Sequence, residues 1–206
     1  MSSSDSTALF VALEGLSGTG KTTTAPLLAK ALNAEFLDTL VDDFEPIRRK
    51  LDASENVMAR MHFWMMANYI ISDIIREKLA MGRSVVIESY FYRTLATHGA
   101  MGARILPEVD WDIAVRPDLT VLLIIDENER RRRLQTRDGC QYRNRWHRLG
   151  AETVDATQEL YSRYNLAPLD VTGLPPGKIV EEIVQIAKVM KRNPADLMTS
   201  SCHRLE

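Results

Sequence analysis

The stretch "ALFVALEGLSGTGKTTTAPLLAKAL", residues 8–32, restricts this chain more than any other. Gly15, Gly20, Lys21 and Thr22 fill the pattern G-x-x-x-x-G-K-[ST]. The apolar run before it suits a buried strand, and the residues after it read as a helix. A glycine-rich loop between such a strand and such a helix turns backbone N–H groups toward phosphate oxygens, and the helix N-terminus adds its dipole. The loop is therefore expected to hold a nucleoside triphosphate through Gly15, Ser17, Gly18, Thr19, Gly20, Lys21, Thr22 and Thr23. Lys21 is expected at the β- and γ-phosphates and the Thr22 hydroxyl on Mg²⁺. The alternative is a strand-to-helix turn without a ligand.

Strand-like runs recur at 34–38, 84–89, 119–126 and 168–173. Helical patterns lie near 20–33, 45–81, 92–102, 127–137, 151–165 and 176–191. Such alternation predicts an α/β fold with a five-stranded parallel sheet flanked by helices. Ligands in such sheets bind at the carboxyl ends of the strands, where the glycine-rich loop, Glu88 and Asp126 fall. A chain of 206 residues suits one domain, expected over 8–192. Residues 1–7 read as a flexible arm and 193–206 as a tail.

A net charge of −2 does not suggest a nucleic-acid polymer as partner. Cys140 and Cys202 form neither a zinc pattern nor a disulfide framework. The N-terminus lacks a secretory pattern and no run suits a membrane span, so a cytoplasmic protein is expected. Residues 54–81 are apolar almost all round, which suggests core on one side and a subunit interface on another.

The loop pattern is shared by switches, motors and kinases. N-K-x-D is absent and the single D-x-x-G, Asp170–Gly173, comes too late, which argues against a GTPase. "VLLIIDE" (121–127) matches a Walker B strand, so an ATPase using Asp126 and Glu127 is one alternative. A nucleotide-binding module without chemistry is another. Asp126 also suits a helix cap. "ERRRRLQTRDGCQYRNRWHRLG" reads as an arginine-dense helix and lid, about 137–150, with Arg130, Arg133 and Arg137 on one face. Arginines that close over a transferring phosphoryl group stabilise its charge. Glu88 ends a strand beside the loop, placed to hold Mg²⁺ or to take an acceptor's proton.

Over nearly its whole length the chain resembles the thymidylate kinase and deoxynucleoside kinase group of P-loop phosphotransferases. "FVALEGLSGTGKTTT" is similar to that group's first strand and loop, and "IIREKLAMGRSVVIESYFYRTLATHGAMG" to its third strand and acceptor segment. "RPDLTVLLIIDENERRRRLQTRDG" follows the strand and arginine-rich helix, and "LDVTGLPPGKIVEEIVQI" the last strand, adenine-side loop and final helix. The resemblance implies phosphorylation of a nucleotide, nucleoside or related small molecule by Mg-ATP, often by a homodimer packed through the long helix. It implies catalytic roles for Lys21, Glu88, Arg133 and Arg137.

The departures fall on the acceptor side. The group's D-R-Y reads Glu88-Ser89-Tyr90, and its Y-Q-G reads Thr97-His98-Gly99. Its acidic loop residue is Ser17, and its helix arginine falls at Tyr69. "DTLVDDFEPIRR" replaces T-R-E-P-G-G. An acceptor phosphate wants bidentate arginines. Arg60 and Arg93 are candidates to replace the missing ones, as are Arg48 and Arg49, unless the acceptor carries no phosphate. Asp43, Phe44, Trp64, Tyr69 and His98 are the other candidate acceptor residues; His62 and His147 read as structural.

Overall fold

In the computed structural model, residues 8–39, 42–138 and 145–192 are described, with backbone alone for Asp42, Arg137, Asp138, Lys191 and Arg192. The expected arm 1–7, tail 193–206, both cysteines and much of the lid lie outside them. The strands are β1 (Phe10–Gly15), β2 (Glu35–Leu37), β3 (Val85–Glu88), β4 (Leu119–Ile124) and β5 (Ala167–Asp170). They pair in parallel in the order β2-β3-β1-β4-β5. β1 is central and all six of its residues are buried, so an uninterrupted apolar run precedes the loop.

The helices are α1 (Lys21–Leu32), α2 (Glu45–Asp52), α3 (Val57–Ala80), α4 (Phe91–Ala100), α5 (Glu127–Asp138), α6 (Arg145–Glu152), α7 (Val154–Ser162) and α8 (Pro176–Arg192). They cover both faces of the sheet. Val11 and Leu13 pack with Leu28, Val121, Ile179 and Ile183 on the α1/α8 side. Phe10 and Ala12 pack with Met61, Met65, Ile87 and Phe91 on the α3/α4 side. This alternation carries Glu14 onto the α3/α4 side.

The pattern at 45–81 is not one helix. It breaks after Asp52, and α3 restarts where the Asn56 side chain accepts a hydrogen bond from the Ala59 N–H at 2.9 Å. An asparagine cap satisfies an orphan amide and starts a new axis. The pattern at 151–165 likewise divides, and α6 begins six residues earlier than expected.

Candidate active site

The glycine-rich loop is shaped by close approach. A Cβ on Gly15, whose φ is 137°, would lie 2.6 Å from the Leu123 carbonyl oxygen on β4. Gly20, at φ 100°, begins α1 without a capping side chain, so no side chain blocks an anion's approach to the helix N-terminus. Lys21 Nζ donates to the Gly15 and Leu16 carbonyls at 2.8 and 2.9 Å. Thr19 Oγ1 donates to the Leu16 carbonyl at 3.0 Å, so Thr19 closes the loop from within.

Two cavities open at the carboxyl ends of the strands. One, of about 790 Å³, is lined by Gly18, Gly20, Lys21, Thr22, Thr23 and Arg133, among others. The second, of about 800 Å³, lies between α3, α4, α5 and α6. Both are lined by Ser17, Glu88, Ser89, Arg93, Leu134 and His147, so they meet along a shared wall. A triphosphate on the loop would end where the second cavity begins.

Glu88 and Arg93 define that junction. Glu88 Oε1 accepts a hydrogen bond from the Thr22 hydroxyl at 2.8 Å. Arg93 donates to the Gly15 carbonyl at 2.5 Å and to Ser17 Oγ at 3.1 Å. Between them Ser89 adopts a left-handed φ of 69°, held by its N–H to the Leu13 carbonyl at 2.9 Å and by Thr39 Oγ1 at 2.7 Å to its carbonyl. Serine rarely takes this conformation, and such outliers persist only where neighbours enforce them. It turns the chain so that the Tyr90 N–H reaches Glu14 Oε1 at 2.9 Å. Glu14 is fully buried, and Tyr161 Oη donates to its other oxygen at 3.4 Å. Burial pushes the Glu14 carboxyl up to about 7 against the pull of the Tyr90 amide, Arg93 and Lys21.

The second cavity carries Arg60, Trp64, Asn68, Thr94, His98 and Trp146. Arg60, Trp64 and Asn68 recur at four-residue intervals on α3 and so share one face. Arg60 Nε donates to Asp52 at 3.0 Å and Nη1 to His98 Nε2 at 2.9 Å. His98 Nδ1 lies 2.7 Å from the Thr94 carbonyl. Arginine only donates and a carbonyl only accepts, so the ring is neutral with its proton on Nδ1. Burial, then Arg60, pulls His98 down to about 4, in keeping with that state. Asn68 Nδ2 donates to Thr94 Oγ1 at 3.1 Å, while its Oδ1 is buried without a protein partner.

Five acceptor candidates fall outside this cavity. The Tyr69 hydroxyl accepts the Asp110 amide at 3.0 Å and its ring packs 4.9 Å from Phe91. Phe44 packs edge-on to Phe63, and Asp43 is exposed on a short 3₁₀ turn. Arg48 is committed to Glu45 and Asp52, and Arg49 to Glu45. His147, expected to be structural, lines both cavities; Thr97, from the segment that reads Thr97-His98-Gly99, lines the second, and Asn68, Thr94 and Trp146 join a wall that no motif marked. The i, i+4, i+8 spacing of Arg60, Trp64 and Asn68 is the signal that points to Asn68.

The arginine helix divides its labour. Arg130 is buried and donates to the Ser17 carbonyl at 3.0 Å and to Glu127, so it braces the loop. Arg133 lines the loop cavity, tethered by Glu129, whose other oxygen accepts the Gly173 amide at 2.9 Å. The Arg137 side chain lies outside the described residues. Asp126 caps α5 by accepting the Glu129 N–H at 3.0 Å, and Glu127 pairs with Arg130 and Arg131. The Walker B reading needs these carboxylates at the phosphates, but the Thr22 hydroxyl is bound by Glu88. No three His, Cys, Asp or Glu side chains converge on a metal position among the described residues. The Thr22–Glu88 pair does fit Mg²⁺, which prefers hard oxygens, takes few protein ligands and shares the phosphates.

A phosphate loop and a second cavity meeting at a carboxylate and a guanidinium fit the class of P-loop phosphotransferases. A family model for thymidylate kinase matches residues 13–171. The probable thymidylate kinase of Methanocaldococcus jannaschii is 26% identical over 188 residues, spanning 87% of this chain and 96% of that protein. That of Thermococcus gammatolerans is 32% identical over 148 residues, spanning 63% and 71%. A solved thymidylate kinase from Candida albicans shares the fold with a TM-score of 0.69 at 16% identity, over 89% of this chain and 92% of that one. The chain belongs to the thymidylate kinase family of nucleotide kinases, which use ATP with Mg²⁺ as phosphate donor.

Proposed function

We propose that this kinase moves the γ-phosphoryl group of Mg-ATP to an anionic acceptor bound in the second cavity, and that this acceptor is a nucleotide other than thymidylate. The observation that carries the reading is the shared wall at Ser17, Glu88 and Arg93. Arg60 and Arg93 are among four guanidinium groups that line the acceptor cavity, and the Arg93 charge is among the influences that lower the Arg60 pKa, after burial. Such mutual repulsion is relieved by an anion held between them. The cations stand at positions 60 and 93 and not at 69 and 89, which supports a changed acceptor.

Lys21 and the amides at the start of α1 bind the triphosphate and lie where charge accumulates during transfer. Thr22 and Glu88 would hold Mg²⁺, which would screen the phosphate charges. Arg93 aligns the acceptor's anionic end with the loop, and Arg133 closes on the transferring group with the lid side chains. With a phosphate acceptor no hydroxyl proton has to be removed, so Glu88 serves as ligand; with a hydroxyl acceptor it would be the base. Pairing of two copies through the 54–81 helix belongs to the same reading, supported by Met66, which is 41% exposed on α3. A cytoplasmic setting is consistent with the finding that no described helix is long and apolar enough to cross a membrane.

The test is a coupled assay with ATP, Mg²⁺ and a panel of nucleoside monophosphates and nucleosides. Turnover is expected to depend on the acceptor, with another monophosphate at least tenfold better than thymidylate in kcat/KM; a lost charged hydrogen-bond partner discriminates by that much or more. Thymidylate as best acceptor near roughly 10⁵ M⁻¹s⁻¹ would refute the changed acceptor. Rapid hydrolysis without any acceptor would favour the ATPase.

A further inference from the structure

α6 follows the arginine-rich segment in sequence, yet it packs against the α2–α3 corner. Its Trp146 is 2% exposed, and Nε1 donates to the Asp52 carbonyl at 3.1 Å. The adjacent Arg145 pairs with Glu55. Asp52 thus gathers three elements: its carboxylate accepts Arg48 of α2 at 2.6 Å and Arg60 of α3 at 3.0 Å, and its carbonyl accepts Trp146 of α6.

Arg60 sits at the centre of this arrangement. Its guanidinium carbon lies 4.8 Å from the Trp146 ring centroid and 5.8 Å from that of Trp64, both within cation–π reach. Asp52 takes Nε and His98 takes Nη1. Nη2 has no hydrogen-bond partner among the described residues, and the residue lines the cavity. A guanidinium fixed on one edge and over its face presents its remaining N–H groups in a set direction, which lowers the entropy cost of gripping an acceptor oxygen.

We infer that Trp146 is a positioning residue of the acceptor site. It holds Arg60 in the orientation that the acceptor meets, so that docking of α6 and binding of the acceptor reinforce each other. The inference rests on reading the second cavity as the acceptor site. A ligand that engages Nη2 is bound best when α6 is docked, and by linkage its binding favours the docked helix. His147, Gly150 and Ala151 of the same helix also line the cavity, so docking completes its wall.

The experiment is a double-mutant cycle on Trp146 and Arg60, using the best acceptor of the panel. Trp146→Ala is expected to raise the acceptor KM roughly tenfold, the equivalent of one cation–π contact and one hydrogen bond. The ATP KM should stay within about twofold. Trp146→Phe keeps a ring over Arg60 but loses the N–H, and should fall between; it carries the cycle alone if the alanine chain does not fold. In the double variant the acceptor KM should be no worse than with Arg60→Ala alone, because both changes remove one function. If the two effects multiply, or Trp146→Ala raises both KM values together, Trp146 is merely structural and the inference falls. If Arg60→Ala leaves the acceptor KM unchanged, the acceptor-site reading falls first.

Discussion

Glu14 allows a prediction worked from the structure. It stands one residue before Gly15, fully buried, facing the Tyr90 amide, the Tyr161 hydroxyl, Arg93 and Lys21. Desolvation outweighs these partners and moves its pKa from 4.5 to about 7. The folded value lies above the unfolded one, so the group's contribution to stability is fully present below pH 4.5 and is lost as the pH rises through 7. At 1.36 kcal/mol per pH unit, the charged form costs about 3 kcal/mol above pH 7. Glu14→Gln keeps the shape and the acceptor for Tyr90, and is neutral at every pH. Urea unfolding without nucleotide, from pH 5 to pH 8, should show the wild type losing roughly 2–3 kcal/mol relative to the variant. Other titrating groups, His98 included, cancel in that comparison. Stability curves that stay parallel to within about 0.5 kcal/mol would refute the burial argument. They would mean that Arg93 and Lys21 hold the carboxylate ionised throughout.

Three further predictions concern the arginine helix and the strand-end carboxylates. Arg133→Ala should lower kcat with little change in the ATP KM, since contacts made on closure stabilise the transition state more than the open complex. A raised KM at unchanged kcat would make Arg133 a simple binding group. Glu88→Gln should cut the rate while isothermal titration shows ATP still bound. Asp126→Asn should cost at most about 1 kcal/mol, the usual scale of a helix cap, and leave turnover intact. The reverse pattern would restore the Walker B reading.

What the linear sequence carried best was local and repetitive. The five strands and the loop were legible because burial of β1 and β3 leaves apolar runs, and because the loop's glycines answer to backbone angles and a 2.6 Å approach. The proposed acceptor cavity was legible in parts. Arg60, Trp64, Arg93 and His98 stood out by residue type, and all four line the cavity. Tyr69 was ambiguous because an aromatic on an apolar helix looks alike whether it stacks on a ligand or on Phe91, and Phe44 because a turn aromatic does not reveal that it packs on Phe63. Trp146 was hidden for a different reason: it comes from a helix 94 residues beyond its partner Asp52. No periodicity within a helix reports such a contact.

The same limit explains the missing arginine at position 89. As a motif, Glu88-Ser89-Tyr90 looks like a loss of charge beside the loop. The structure shows a charge supplied from elsewhere. β3 ends at Glu88, Ser89 turns the chain through a left-handed residue, and α4 begins at Phe91. A side chain on the first turn of α4 is then close enough to reach back, and Arg93 does so, to the Gly15 carbonyl and Ser17 Oγ. The acidic loop residue that Ser17 replaces would have met this guanidinium as an ion pair; a serine hydroxyl leaves more of its charge for a ligand. Charge at the junction is therefore kept while its direction changes. A cation at the junction suits an anionic acceptor end, and the shifted angle, with Arg60 lining the cavity and Tyr69 outside it, is the ground on which we propose a changed acceptor.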